Sequence, residues 1–225
     1  MSETPENPTP TPGDVQSHAE AIVSEGREVR ANIAKLVGDT AAAFQKSGEG
    51  LIALTRAVMA GAGDALEKGT ASLPAEGPLR QVIDGLGDGL SNVALSARMA
   101  IDEARSKNQQ FAAADLTQIR KDLGDLTTLY INTVSDALSR IGQQARTEVT
   151  DLADHAEKVK ERVTPNVQSA IDAAVHDPVG LGKESLQAGL AVTREATGSL
   201  FSVIGKFLQE TGEKLSNPPG GTPRG

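Results

Sequence analysis

Between Leu116 and Val163 an apolar residue returns every three or four positions without a gap. The series is Leu116, Ile119, Leu123, Leu126, Tyr130, Val134, Leu138, Ile141, Ala145, Val149, Leu152, Ala156, Val159 and Val163. Thirteen steps cover 47 residues, a mean of 3.6 per step. That is the period of an amphipathic α-helix, with one face apolar throughout. The pattern predicts one unbroken helix over 115–163, roughly 70 Å long at 1.5 Å per residue. Asp115 and Gln118 resemble a capping box at its start. Thr164-Pro165 is expected to stop it, because a residue before proline avoids helical geometry. A strict 3.5-residue repeat would wind the helix into a left-handed supercoil, whereas 3.6 keeps the stripe on one side of a nearly straight rod. Such a rod suits a loose bundle, or it can lie flat on an extended apolar surface.

The rest of the chain is helix-coded as well, and no stretch has the alternation of a strand. A first helix is expected from about Asp14 to Lys46, carrying Ile22, Val29, Ile33 and Leu36/Val37. A second is expected over 51–68, with Leu51, Leu54, Val58 and Met59. Two prolines and two glycines mark 69–78 as a loop. A third helix should begin near Leu79 and end near Asn108. Gly85, Gly87 and Gly89 should weaken or kink it, at about 1 kcal/mol each relative to alanine. A short helix over 166–176 and a last one over 183–215 follow. The expected fold class is therefore all-α: long amphipathic helices in an elongated bundle, forming a single helical domain over 14–215. Four prolines in the first 13 residues and SNPPGGTPRG at 216–225 predict a disordered arm and tail. Faint echoes, such as Gly-Leu-Gly at 85–87 and 180–182, are too weak to define a repeat.

Composition narrows the function. Leu, Ile, Val and Phe supply 51 of 225 residues, so the core must be thin. Five aromatic rings (Phe44, Phe111, Tyr130, Phe201 and Phe207) are few for an enzyme pocket. The net charge of −8 argues against nucleic acid as a partner, since that calls for a basic footprint. With no cysteine there is no disulfide, thiolate nucleophile or Cys-ligated zinc. A reducing, cytoplasmic setting is compatible. The N-terminus lacks the basic start and apolar run of a secretory signal, and no apolar run is long enough to span a membrane.

Sites for chemistry are sparse. Asp151 and His155 stand four apart on one helical side and could supply two metal ligands. Lys158, Lys160 and Arg162 follow directly, and a solvated charged face accounts for the cluster better. Gly85-Leu86-Gly87-Asp88-Gly89 has a glycine-rich look, but position 90 is leucine and no strand precedes it, so a phosphate loop is not expected. Close helix approach or a bend explains those glycines better. Asp136/Arg140 and Asp154/Lys158 are i,i+4 pairs that stabilise and solubilise a helix. No catalytic residue, metal or cofactor is expected, and the protein is read as non-enzymatic.

The segment LTTLYINTVSDALSRIGQQARTEVTDLADHAEKVKERV, about 127–163, resembles bacterial phasins, the proteins that coat polyester storage granules. The likeness lies in a long Ala/Leu/Thr-rich amphipathic helix of balanced charge between proline-rich ends. The Lys/Ala/Pro-rich tail frequent in that family is missing. The resemblance implies a non-enzymatic granule coat that self-associates through helices.

Two functions are therefore expected to compete. In the first, the protein binds a hydrophobic granule or lipid surface. In the second, it is a scaffold, a helical bundle or homo-oligomer whose stripes face one another. The residues expected to make the apolar contacts are Leu116, Ile119, Leu123, Leu126, Tyr130, Val134, Leu138 and Ile141, together with Leu200, Phe201, Ile204, Phe207 and Leu208. The 115–163 segment carries nine acids and seven bases, which disfavours purely electrostatic binding to an anionic membrane.

Overall fold

A computed structural model describes residues 10–69, 76–107, 111, 113–140, 146–175, 200, 201, 203 and 204. The described residues form six α-helices and no strand, an all-α fold. They are α1 (Pro12–Glu25), α2 (Val29–Ser47), α3 (Gly50–Glu67), α4 (Glu76–Ser106), α5 (Ala113–Arg140) and α6 (Arg146–Val175). The expected tail, residues 1–9 of the expected arm and most of the expected helix over 183–215 lie outside the described residues.

The first helix begins earlier than Asp14. Thr11 is its N-cap, Pro12 occupies the first turn, and Thr11 and Asp14 close a reciprocal capping box. The single helix expected over 14–46 is in fact two. Gly26 takes a left-handed conformation (φ 67°) and its N–H bonds to the carbonyl of Ile22, which ends α1. Glu28, at φ 46°, completes the reversal into α2.

Interhelix contacts give the direction of each helix. Gln16 donates to Asp64 (2.7 Å) and Lys68 to Glu20 (2.6 Å). Both partners advance by four residues, so α1 and α3 run parallel. Gly50 lies beside Asp122, and Arg56 to Glu67 share a groove with Thr133 to Arg140, so α5 runs parallel to α3. Gly85 meets Ile33 and Gly89 meets Val37, which makes α2 and α4 parallel. Asp84 meets His155, Arg105 reaches the carbonyl of Ala173, and Asn166 bonds to Ser91, so α6 runs parallel to α4. The result is two layers of three parallel helices, α1-α3-α5 and α2-α4-α6, running in opposite senses. Three helix pairs lie side by side, much as in helix-pair repeat proteins. One continuous core collects Val23, Ile33, Phe44, Leu54, Ile83, Ile101, Leu123 and Leu138.

The long helix expected over 115–163 is likewise two, α5 and α6. Leu126 and Tyr130 line the same small cavity as Val163 and Val167. In one straight helix Leu126 and Val163 would stand about 55 Å apart. The chain therefore folds back, and the stripe of α5 packs on the stripe of α6. The expected stop at Thr164-Pro165 is absent, because Pro165 sits inside α6. The missing N–H costs Glu161 its carbonyl partner, but Glu161 is exposed and water can take the bond. The separate short helix expected over 166–176 is the end of α6.

The glycines of α4 do not interrupt it. Helix continues from Glu76 to Ser106. A Cβ on Gly85 would fall 2.5 Å from the carbonyl oxygen of Arg30, one on Gly89 2.6 Å from Val37 Cβ, and one on Gly87 2.2 Å from Val159 Cγ1. Gly85 and Gly89 let α4 settle onto α2, while Gly87 does the same toward α6. The central helix of this layer is thus fitted closely on both sides.

Candidate functional site

Every described residue expected to make apolar contacts is buried. Leu116, Ile119, Leu123, Leu126, Tyr130, Val134 and Leu138 form the inner face of α5. Leu200, Phe201 and Ile204 also sit in the core. The N–H of Leu200 donates to Asp115 Oδ2 at 2.8 Å, so the expected capping residue of α5 instead holds a segment that returns 85 residues later. Gln118 donates its amide to Asp122. Ile141, Phe207 and Leu208 lie outside the described residues. Among the described residues the large exposed hydrophobic side chains are Met99, Leu129 and Val175, one on each of α4, α5 and α6.

A polar seam ties the second layer together across α4. Arg30 donates to Asp88 (2.6 Å), and Arg162 reaches both Asp84 (3.2 Å) and Asp88 (3.4 Å). His155 Nε2 stands 3.2 Å from Asp84 Oδ1. His155 thus turns toward α4, while Asp151 and Asp154 remain exposed. Among the described residues no group of three potential metal ligands is gathered. The pairs involving arginine are half exposed and contribute at most about 1 kcal/mol each; their role is alignment of α2, α4 and α6.

A groove of about 390 Å³ separates the C-terminal halves of α3 and α5. Arg56, Met59, Ala60, Gly63, Asp64 and Glu67 of α3 and Thr133, Asp136, Ala137 and Arg140 of α5 line it. Small residues on both helices create the space. Its lining holds both signs of charge and no histidine.

The least expected feature lies at the other end of the α3–α5 contact. Asp122 is 2% exposed and Gln45 of α2 is 1% exposed. Gln118 Nε2 donates to Asp122 Oδ1 at 2.9 Å. Asp122 Oδ2 and both amide atoms of Gln45 have no hydrogen-bond partner, although the Gln45 side chain lies against the carboxyl. Burial pushes the Asp122 carboxyl up to about 6, against smaller opposing effects from the Gln118 amide, Lys121 and the Gln45 amide. Tyr130 also buries a hydroxyl without a partner, and burial raises its pKa. Asp122 follows Ile119 by three and precedes Leu126 by four, so it sits on the apolar face. A carboxylate at that spacing is the sequence signal for a buried acid.

Comparison with family models gives one match, a family of unknown function (DUF6781), over residues 14–217. No curated protein and no solved structure matches the chain. No described helix is long and apolar enough to cross a membrane.

Proposed function

Because the chain belongs to this family of unknown function, we propose from its architecture that it is a non-enzymatic protein that opens its α5–α6 pair onto a hydrophobic surface such as a storage granule. One observation carries this reading. The apolar stripe keeps its 3.6-residue phase from Leu138 through Ile141, Ala145 and Val149 to Leu152. Two helices that only pack on each other need no common phase across their junction. A shared phase is what a single extended helix requires, with all its apolar residues on one side. The sequence therefore supports two arrangements of one stripe: closed on itself in the free chain, and laid open on an external apolar phase. Likeness to phasins points the same way.

The burial of the α5 stripe favours a second reading, a permanent scaffold. With that stripe already packed, a bundle can be stable without any surface.

A distance measurement separates the two. The natural chain has no cysteine, so labels at Thr128→Cys and Glu161→Cys would be unique. Both positions are exposed, and their neighbours Thr127 and Lys160 line one cavity. In the free protein the labels should lie close together. On polyester or neutral-lipid particles they should move to about 50 Å, the span of 33 helical residues. Binding with an unchanged short distance, or no binding, would favour the scaffold.

A further inference from the structure

We infer that Asp122 is a proton-operated latch, which in its neutral form ties α5 to the end of α2 and in its ionised form loosens that joint. The geometry supplies the parts. Asp122 projects from the N-terminal half of α5 toward the junction of α2 and α3. Gln118 already occupies its Oδ1. Oδ2 is buried and without a partner, and so is the amide of Gln45 beside it. A carboxylic acid carries a proton on one oxygen and can donate it to Gln45 Oε1. That single bond would use two of the three unpaired atoms. An ionised carboxyl can only accept, for which the Gln45 Nε2 is a partial offset, and it places a full charge where it is almost wholly removed from water.

The surroundings offer little compensation. On α5, Lys121 is exposed and already bonded to Asp125 at 2.8 Å. Asp125 itself adds a like charge that disfavours ionisation of Asp122. The α2 side presents Gln45, whose amide favours the ionised carboxyl to a small extent but brings no charge to balance it. The α2–α3 turn presents exposed Glu49 and then Gly50, on which a Cβ would fall 3.1 Å from Asp122 Oδ1. No cation is buried with the carboxyl among the described residues.

The direction of the pH effect follows. The folded-state value, about 6, lies above the ordinary 3.8. The folded chain thus binds the proton more tightly than the unfolded chain. The stabilisation is fully present below about pH 3.8 and is lost as pH rises through about 6. The span between those values corresponds to roughly a hundredfold in the folding equilibrium. The latch is independent of what α5 meets once it is loosened, so it stands or falls separately from the surface reading.

The test compares thermal melts of the wild-type chain and Asp122→Asn between pH 4.5 and 7.5. The wild-type midpoint should fall across this range, by on the order of 5–10 °C. Asp122→Asn should remove most of that fall and melt above the wild type at pH 7.5. An undiminished fall in the variant would overturn the latch. Should the variant not fold, carboxyl carbon NMR of the wild-type chain decides. An Asp122 inflection near pH 6 supports the proposal, and one near 4 overturns it.

Discussion

Phe44→Ala is expected to cost about 3–5 kcal/mol, among the largest losses for a single side chain of the described core. Phe44 is 1% exposed and is among the largest fully buried side chains. Two physical terms add. The first is the apolar surface that the ring removes from water. The second is the cavity left behind, which persists when the surrounding helices cannot close in. Here they are held apart by contacts made elsewhere, where α4 already rests on α2 at Gly85 and Gly89. A domain is typically stable by about 5–15 kcal/mol, so this loss could consume a third of the total or more. A urea titration should show a much lower midpoint with an unchanged slope. Met99→Ala is the control: at 54% exposed, it should change stability by about 0.5 kcal/mol or less.

The second large effect turns on one substitution made at two glycines. Gly61→Ala should destabilise the protein by about 1–3 kcal/mol, and Gly124→Ala should stabilise it by up to about 1 kcal/mol. Both glycines are inside helices, where alanine is intrinsically preferred. Gly61, however, lies against α1. Its Cβ would fall 2.1 Å from the carbonyl oxygen of Gln16 and 2.9 Å from both Ala19 Cβ and the Glu20 nitrogen. Two of those three atoms are backbone, so relief requires α1 to move bodily away from α3. Around Gly124 nothing lies within 4 Å of the added carbon. Thermal melts of the two variants should shift in opposite directions. A stabilised Gly61→Ala would mean that α1 is not seated as described.

The same glycines show what could be read in advance. Periodicity identified the buried face of α5 residue by residue, because a 3.6-residue spacing reports which side of a helix is apolar. It does not report where the chain turns back. Between Arg140 and Arg146 the stripe continues in phase, and Gly142 is a weak break signal, so α5 and α6 read as one rod. Gly26 is an equally weak break signal in the sequence, although a left-handed glycine is how α1 ends. Pro165 misled in the opposite direction. Its local rule favours a stop, yet the packing of α6 on α4, with Asn166 bonded to Ser91, carries the helix through. The Gly85-Gly87-Gly89 run was open to two readings, and only the neighbours α2 and α6 decide between bend and close approach. Asp122 enters the sequence reading only as one of the nine acids of 115–163, although its spacing from Ile119 and Leu126 places it inside. The adjacent lysines mark Asp151 and Asp154 as part of a charged face, but Asp84, beside His155, lies 71 residues away and has no local signal.

The parallel layers also govern how the chain can reach this state. In an up-and-down bundle each helix finds its neighbour across one turn. Here the neighbours within a layer are always two helices apart in sequence. Gln16 waits for Asp64, Arg30 for Asp88 and Ser91 for Asn166, separations of 48, 58 and 75 residues. Leu200 closes on Asp115 across 85. Each closure loses chain entropy before any packing offsets it. Stopped-flow refolding should therefore take milliseconds or longer, slower than the roughly microsecond-to-millisecond range of helical proteins built from local contacts. The last contacts to form should be those of α6 and of the returning Leu200, Phe201 and Ile204, so on a chain emerging from the ribosome α1 can settle on α3 and α2 on α4 while the opposite faces of α3 and α4 still wait for α5 and α6.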